Sequence, residues 1–302
     1  MEASSALLPA PPRCRVNTEA YLRAWERAGG LPLDSLERLT AAQREWFNFS
    51  PGGLALSMGG RCLVYARIWK GANNAIRESL LRAVTNALLR TAAAPRGPRF
   101  DHREAHFGVL QGSRLQIELG LRASKLCRFG SLEFTFVREP LSHFMSGFGE
   151  YAYRDVRFKE ASRAFLHRNL TSADAEEVLT RILSGRPPAA SGRHMYAMAG
   201  LIANGWQLSH LGWLENASMH WKEIMRASQI PALARLPLGL EADTLGRVYT
   251  AHESSSDPQG AKKAMRQILL QRPDLRYRLC ALLALDYECY SFDFSRCLSG
   301  AA

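Results

Sequence analysis

The sequence has no long apolar run. No stretch of roughly 18 consecutive apolar residues is present, so no membrane-spanning helix is predicted. Residues 1–15 lack the basic start and the apolar core of a signal peptide, and the apolar stretch Ala6-Leu7-Leu8 is too short to be one. By default, these absences predict a cytoplasmic protein.

The sequence has no cysteine pattern of the kind that binds zinc. None of the cysteines belongs to a C-x-x-C pair, so no zinc site is predicted. The spacing of His102 and His106 would permit a metal pair on a helix, but the Pro/Gly-rich segment before them does not favour a helix, and no metal is predicted. Three of the cysteines lie near the C-terminus, where their spacing permits a disulfide without indicating one. The six cysteines are Cys14, Cys62, Cys127, Cys280, Cys289 and Cys297.

Acidic residues are outnumbered, but the basic residues form no block. The chain has 39 lysines and arginines against 28 aspartates and glutamates, a formal net charge of +11. This surplus favours an anionic partner such as a nucleotide, nucleic acid, acidic glycan or membrane surface, and it also fits an ordinary basic surface. Because the arginines are scattered and no aromatic-basic platform stands out, nucleic-acid binding is not predicted.

Composition and apolar patterns predict a globular α/β protein. Of its 302 residues, 47% are hydrophobic and 22% charged, which is typical of soluble globular domains. Residues 1–30 are predicted to form a flexible N-terminal segment, and residues 31–302 a single domain. Strands alternate with helices, which predicts a central, mainly parallel sheet. Strands are predicted at residues 62–68, 115–119, 132–137 and 208–214, and helices from residue 76, from residue 140, at residues 218–228 and near the C-terminus.

A first strand-to-helix junction carries Lys70. Lys70 supplies a positive charge, and Gly71 lets the backbone approach a ligand closely. Asn73 or Asn74 can donate side-chain N–H groups or cap the helix. The junction is not a Walker motif, because the glycine spacing and the Lys-Ser/Thr pair are absent. An ordinary helix cap preceded by a lysine is the alternative interpretation.

A second junction lies in the stretch Phe134–Gly147, where a buried strand leads straight into a helix. Arg138 at the junction could clamp a phosphate through two hydrogen bonds, and Ser146, eight residues on, could donate another. The helix N-terminus at the carboxyl end of a parallel strand also favours anions. A structural ion pair between Arg138 and Glu139 is the alternative. Together, the two junctions suit a ligand with phosphates at both ends.

The order of these segments resembles the Golgi-type carbohydrate sulfotransferases, which use 3′-phosphoadenosine 5′-phosphosulfate (PAPS). The stretch Phe136–Ser146 resembles their 3′-phosphate motif, Phe-Val-Arg-(Asp/Glu)-Pro followed by Ser. Lys70–Asn74 is similar to their 5′-phosphosulfate loop in its lysine, length and position. Leu211–Asn216 is similar to their hydrophobic-Gly-x-x-Glu segment. Leu285–Tyr290 is similar to their terminal Asp-Tyr-x-x-Phe helix.

The resemblance covers roughly residues 60–295 and implies the fold and the donor. The implied fold has three layers, with a central, mainly parallel sheet flanked by helices, as in P-loop NTPases. The implied sulfate donor is PAPS, with no metal. Trp69 replaces the family's proline, and Asn73 and Asn74 replace hydroxyl or cysteine residues, although amides still donate hydrogen bonds. The implied cofactor-binding residues are Lys70, Gly71, Ala72, Asn73, Asn74, Arg138 and Ser146.

The resemblance implies in-line transfer of a sulfuryl group to a hydroxyl of a glycan or another small acceptor. Lys70 would stabilise the leaving phosphate oxygen, while Arg138 and Ser146 would hold the 3′-phosphate. The general base is predicted to be His106 or His102, because neutral imidazole suits this role near neutral pH. His106 is preferred because it adjoins an apolar residue. Glu104 is the carboxylate alternative, and His194 is a weaker candidate for acceptor contact.

Two other functions remain open. A catalytically impaired protein of the same fold that binds PAPS or its product PAP is favoured by the Asn73-Asn74 departure. A nucleotide-dependent kinase is less favoured because its Walker loop is absent. Basic loops at residues 92–103 and 184–193 would suit an anionic glycan as the acceptor.

The compartment is predicted in two ways. The family resemblance implies the Golgi lumen, against the cytoplasmic default. Three triplets beginning at Asn48, Asn169 and Asn216 match the N-glycosylation pattern, and Pro51 makes the first a poor acceptor. Because such triplets arise often by chance, they do not decide the compartment. The oligomeric state is not predicted.

Overall fold

The chain divides into two compact units, each built from separate stretches of the sequence. The first comprises residues 1–11, 51–137 and 207–252, and the second residues 12–50, 138–206 and 253–302. The predicted flexible segment 1–30 and single domain 31–302 stay predictions. The computed structural model describes residues 8, 23, 53–58, 61–68, 75–76, 79–80, 115–120, 131–154, 170–185, 194–203, 205–231, 233–236, 238 and 260–299.

A five-stranded sheet lies in the first unit. The strands are β1 (Gly53–Met58), β2 (Arg61–Ala66), β3 (Leu115–Gly120), β4 (Leu132–Val137) and β5 (His210–Trp213), in the spatial order β3-β1-β2-β4-β5. Strand β4 pairs in parallel with β2 and β5, and β1 is antiparallel to β2 and β3. Four of these five strands therefore run the same way, which confirms the predicted α/β class with a mainly parallel sheet.

Helices make up most of the remaining described chain, and turns join them. The labelled ones are α1 (Pro140–Arg154), α2 (Ser172–Leu183), α3 (Gly200–Ala203), α4 (Ala217–Ala227), α5 (Ala261–Gln271), α6 (Pro273–Cys289) and α7 (Ser295–Ser299). Residues 75, 76, 79 and 80 are helical as well. The helices predicted from residue 140, at residues 218–228 and near the C-terminus are confirmed as α1, α4 and α6. Within the described residues, every helix is too short or too polar to cross a membrane.

The core of the first unit is an aromatic cluster under α4. Strand β4 is buried on both faces, as its nearly uniform apolar sequence predicts: Phe134 and Phe136 on one face and Thr135 and Val137 on the other are all 0% exposed. Tyr65 on β2 lies 5.3 Å from Phe134 between ring centroids, and Trp221 on α4 lies 6.2 Å from Phe134 and 6.4 Å from Phe136. The indole N–H of Trp221 donates to the carbonyl oxygen of Leu236 at 2.8 Å, so its polar atom is satisfied inside the core.

The second unit is helical in its described part. Helix α5 packs against α1, α2 and α6, and α6 also contacts α7. Helix α6 has buried residues all round, among them Leu275, Leu279 and Leu283, which is typical of a helix enclosed by its neighbours. The Cys280–Cys297 disulfide joins α6 to α7. Cys62 and Cys289 are disulfide-bonded too, and no cysteine among the described residues is free.

Candidate active site

Three parallel strands end at the same edge of the sheet. Tyr65 on β2 pairs with Phe134 on β4, and Val137 on β4 pairs with Trp213 on β5. The hydroxyl of the buried Thr135 donates to the carbonyl oxygen of Ala66 at 2.6 Å, which fixes the end of β2 against β4. Since neighbouring strands lie about 4.8 Å apart, the chain leaves β2, β4 and β5 at closely spaced points.

The three segments that resemble sulfotransferase motifs leave from this edge. Strand β2 leads through Ile68 towards Lys70–Asn74, β4 leads directly to Arg138, and β5 leads to Leu214–Asn216. The carboxyl edge of a parallel sheet is where open α/β folds bind their ligands. The two strands that precede the predicted phosphate segments, β2 and β4, are parallel neighbours in this sheet.

Glu139 caps helix α1 with its own carboxylate. Arg138 is half-buried, and Glu139 is 4% exposed. The Glu139 carboxylate accepts hydrogen bonds from the backbone N–H groups of Leu141 at 3.2 Å and Ser142 at 2.6 Å. The hydroxyl of Tyr287 on α6 donates to the same carboxylate. These N–H groups at the start of α1 are therefore already bound to an anion, and Arg138 is the cationic side chain at the junction.

Ser146 is a buried polar residue on α1. Its side chain is 4% exposed, and its Oγ has no hydrogen-bond partner among the described residues. Leaving a buried hydroxyl unpaired is costly, and such a group in a native protein commonly has a partner supplied by a ligand or water. A phosphate oxygen would satisfy this hydroxyl, so Ser146 fits the predicted 3′-phosphate contact.

The next residue, Gly147, lets another backbone segment approach α1. A Cβ at Gly147 would lie 2.2 Å from the carbonyl oxygen of His194, so no larger residue fits there without backbone movement. His194 itself is buried, with 5% exposed. The weaker acceptor-contact candidate His194 is thus packed beside the helix that carries Ser146.

Helix α6 holds two segments in place: Glu139 at the start of α1, and Met198 and Ala199. The Asp286 side chain is buried, and its carboxylate accepts the backbone N–H groups of Met198 at 3.1 Å and Ala199 at 2.7 Å. Tyr290 donates to the carbonyl oxygen of Met198 at 2.8 Å, while Tyr287 donates to Glu139. The Asp-Tyr-x-x-Tyr sequence at the end of α6 therefore positions Glu139 at the start of α1 and the segment at residues 198–199.

The electrostatics of this helix follow from burial. Burial raises the pKa of Asp286 to about 7, and the N–H groups of Ala199 and Met198 oppose that rise. Burial also raises the pKa of Tyr287, and its hydrogen bond to the Glu139 carboxylate adds to the effect. Tyr287 is therefore a stable neutral donor at physiological pH.

The β5 segment is built around a glycine and a neutral histidine. A Cβ at Gly212 would lie 2.4 Å from the ring of Phe136, so glycine lets β5 pass the core aromatic. The Nδ1 atom of His220, on α4, accepts the backbone N–H of Trp213 at 2.9 Å. Burial lowers the pKa of His220, which keeps its ring neutral and able to accept.

The comparisons with known proteins agree with this arrangement. The model of the sulfotransferase family matches residues 65–293, which is more than half of the chain. The chain belongs to the sulfotransferase family. Sulfuryl transfer is the general activity of this family, and the predicted resemblance is confirmed at that level. No curated protein and no solved structure matches this chain.

Several predicted site residues lie outside the described residues. Their roles stay predictions. Among the residues that the structure does describe, no three His, Cys, Asp or Glu side chains come together as a metal site. The undescribed candidates are Lys70, Gly71, Ala72, Asn73, Asn74, His102, Glu104 and His106.

Proposed function

We propose that this sulfotransferase transfers the sulfuryl group of PAPS to a hydroxyl of a glycan or another small acceptor. The β4–α1 junction carries the proposal. Arg138 directly follows a buried parallel strand at the carboxyl edge of the sheet, and the helix that begins there carries the buried hydroxyl of Ser146. The Glu139 carboxylate already accepts the N–H groups of Leu141 and Ser142. A phosphate at this junction would therefore be bound by side chains instead of by these N–H groups.

The 3′-phosphate of the donor would be held by Arg138 and Ser146. A guanidinium can donate two parallel hydrogen bonds to phosphate oxygens, which gives both affinity and orientation. The Ser146 hydroxyl would donate a further bond and gain the partner that it lacks among the described residues. Adenine nucleotides without a 3′-phosphate would lack these bonds, would leave the buried Ser146 hydroxyl without an acceptor, and would bind more weakly.

The other end of the donor would be held by the segment after β2. Bound PAPS supplies an activated sulfuryl group. Lys70 would neutralise the negative charge on the leaving phosphate oxygen, and His106, or else His102, would accept the proton of the acceptor hydroxyl. The segment after β2 follows a strand that pairs in parallel with β4, as expected for a phosphate-binding segment at the carboxyl edge of the sheet.

An anionic glycan is the acceptor class that the charge favours. The formal net charge of +11 raises the local concentration of anionic substrates and speeds their association. The predicted basic loops at residues 92–103 and 184–193 would contact such an acceptor. A neutral acceptor would gain nothing from this charge.

The lumen of the secretory pathway is the proposed compartment. The Cys280–Cys297 disulfide and the disulfide-bonded Cys62 and Cys289 favour an oxidising environment. They support the Golgi lumen implied by the family resemblance over the cytoplasmic default.

Transfer of labelled sulfate from PAPS tests the proposed activity. Wild-type protein is incubated with the labelled donor and with acidic glycans, neutral oligosaccharides and small hydroxyl compounds. We expect labelling of an acidic glycan, and loss of nearly all labelling in Lys70→Ala. The matched control is Lys222→Ala, an exposed lysine on α4. Tight PAP binding without transfer to any acceptor would instead support the catalytically impaired binding protein.

A further inference from the structure

The turn between β5 and α4 carries the triplet Asn216-Ala217-Ser218, which matches the acceptor pattern for N-linked glycans. Because such triplets arise often by chance, the pattern alone does not show that the asparagine is glycosylated. The structure around the asparagine supplies the further evidence. Asn216 is exposed, Ser218 is half-buried, and Ala217 between them is 5% exposed. The asparagine is thus the member of the triplet that faces solvent most freely.

The side chain of Asn216 does not cap the helix that follows it. It occupies the N-cap position of α4 but makes no cap hydrogen bond to the helix. At the start of α2, by contrast, the hydroxyl of Thr171 accepts the N–H of Asp174 at 3.3 Å and donates to its carboxylate at 2.6 Å. A sugar attached to Asn216 would therefore displace no cap interaction and need no buried space.

The other two triplets are poorer candidates. Asn48 is followed by Pro51 just after its triplet, which disfavours modification. Asn169 precedes the buried Leu170 and the capping residue Thr171. Both Asn48 and Asn169 lie outside the described residues, whereas Asn216 is exposed in the structure.

We propose that Asn216 carries an N-linked glycan. The side-chain amide nitrogen of Asn216 would attack the anomeric carbon of an oligosaccharide linked to a lipid pyrophosphate. The new bond is nitrogen to carbon, the bond from that carbon to the pyrophosphate oxygen breaks, and the amide loses one proton. The inference rests on the proposed lumenal compartment, because N-glycosylation and disulfide formation share the oxidising entry point of the secretory pathway. It does not depend on sulfuryl transfer.

Mass spectrometry of the secreted full chain tests this site. The chain is expressed in eukaryotic cells behind a cleavable signal peptide and treated with a peptide N-glycosidase in heavy-oxygen water, which converts a glycosylated asparagine to labelled aspartate. We expect this conversion at Asn216. Asn216→Gln and Ser218→Ala should abolish it, whereas Ser218→Thr should retain it, because threonine preserves the acceptor pattern.

The disulfide provides an internal control in the same digest. A linked Cys280–Cys297 peptide shows that the chain folded in an oxidising compartment. An unmodified Asn216 peptide in molecules that carry this disulfide would overturn the inference, as would a glycan that persists in Ser218→Ala. We expect the deglycosylated wild type and Asn216→Gln to unfold at the same temperature, because the side chain makes no cap hydrogen bond. Sulfate transfer by the same preparation is scored separately, so the two proposals fail independently.

Discussion

At the scale of single residues, substitution of Ser146 can distinguish a structural role from a ligand-binding role. Ser146→Ala removes a buried hydroxyl that has no partner among the described residues and introduces the best helix former. We expect the free energy of unfolding to stay the same or rise by roughly 0.5 kcal/mol. We expect PAP to bind about 10-fold more weakly, because one hydrogen bond to a charged group is lost. Denaturant titration and calorimetry measure the two quantities.

The opposite result would mean that Ser146 stabilises the fold and does not bind the nucleotide. If Ser146→Ala unfolds more easily and binds PAP as wild type does, the hydroxyl serves packing rather than the nucleotide.

Asp286 gives the second prediction at this scale. Its pKa is about 7 in the folded protein and about 3.9 in an unfolded chain. Between these values the folded state binds the extra proton, so raising the pH from about 4 to about 7 weakens the fold. Asp286→Asn does not titrate. The stability of wild type relative to Asp286→Asn should therefore fall across this range and level off above it, as chemical denaturation at several pH values would measure. A difference that is flat or rises with pH would contradict the assignment.

At the scale of elements, alanine substitutions at two glycines of α1 should affect stability differently. A Cβ at Gly147 would meet the backbone of His194 at 2.2 Å, whereas at Gly149 the nearest atom is the flexible side chain of Lys262 at 3.2 Å. Gly147→Ala should lower the free energy of unfolding by about 1–3 kcal/mol through overpacking. Gly149→Ala should be neutral or stabilising by up to about 1 kcal/mol, because alanine favours helix. Equal effects in thermal melts would refute the described contact between α1 and His194.

Two tyrosines at the C-terminal end of α6, Tyr287 within the helix and Tyr290 at its C-cap, test whether this helix positions the donor site. Tyr287→Phe and Tyr290→Phe each remove one buried hydrogen bond, with a cost of about 1–2 kcal/mol in stability. Only Tyr287 bonds to Glu139, the neighbour of Arg138. We therefore expect Tyr287→Phe to raise KM for PAPS several-fold with a smaller change in kcat, and Tyr290→Phe to leave KM unchanged. A rise in KM of the same size in both variants would mean that general loosening is the cause.

Local patterns account for the elements that were predicted and for those that were missed. Strand β4 and helix α1 follow from a nearly continuous apolar run and a first-turn proline. Strand β1 was missed, although Gly59-Gly60 between β1 and β2 is typical of a two-residue hairpin. Helix α2 was missed, although Thr171 and Asp174 form a capping box. Both patterns are visible in the sequence.

The contacts that hold the site could not be predicted in this way. Asp286 bonds to residues 87 and 88 positions away, and Tyr287 bonds to Glu139 across 148 positions. No local periodicity encodes such partners, because tertiary packing alone brings them together. The alternative interpretation, an ion pair between Arg138 and Glu139, also did not predict that the Glu139 carboxylate caps α1.

At the scale of the whole molecule, the stability of the fold should depend on its disulfides, which persist in an oxidising compartment. Cys280 and Cys297 are 17 positions apart, and closing a loop of this size stabilises a fold by roughly 3 kcal/mol. Cys297→Ala should lower the free energy of unfolding by about 2–4 kcal/mol. A reducing agent should destabilise wild type as well. Wild-type stability that is identical with and without reductant would argue against an oxidising compartment.

The recognition of the 3′-phosphate by Arg138 is the claim on which the proposed function depends, and nucleotide-selective binding measures it most directly. Thermal unfolding is followed for wild type and Arg138→Ala with PAP, AMP, ADP and ATP. A ligand that binds only the folded protein raises the midpoint. We expect PAP to raise the wild-type midpoint well above the other nucleotides, and Arg138→Ala to abolish that difference. Equal shifts for PAP and ADP in wild type, or a PAP-selective shift that survives in Arg138→Ala, would contradict the account.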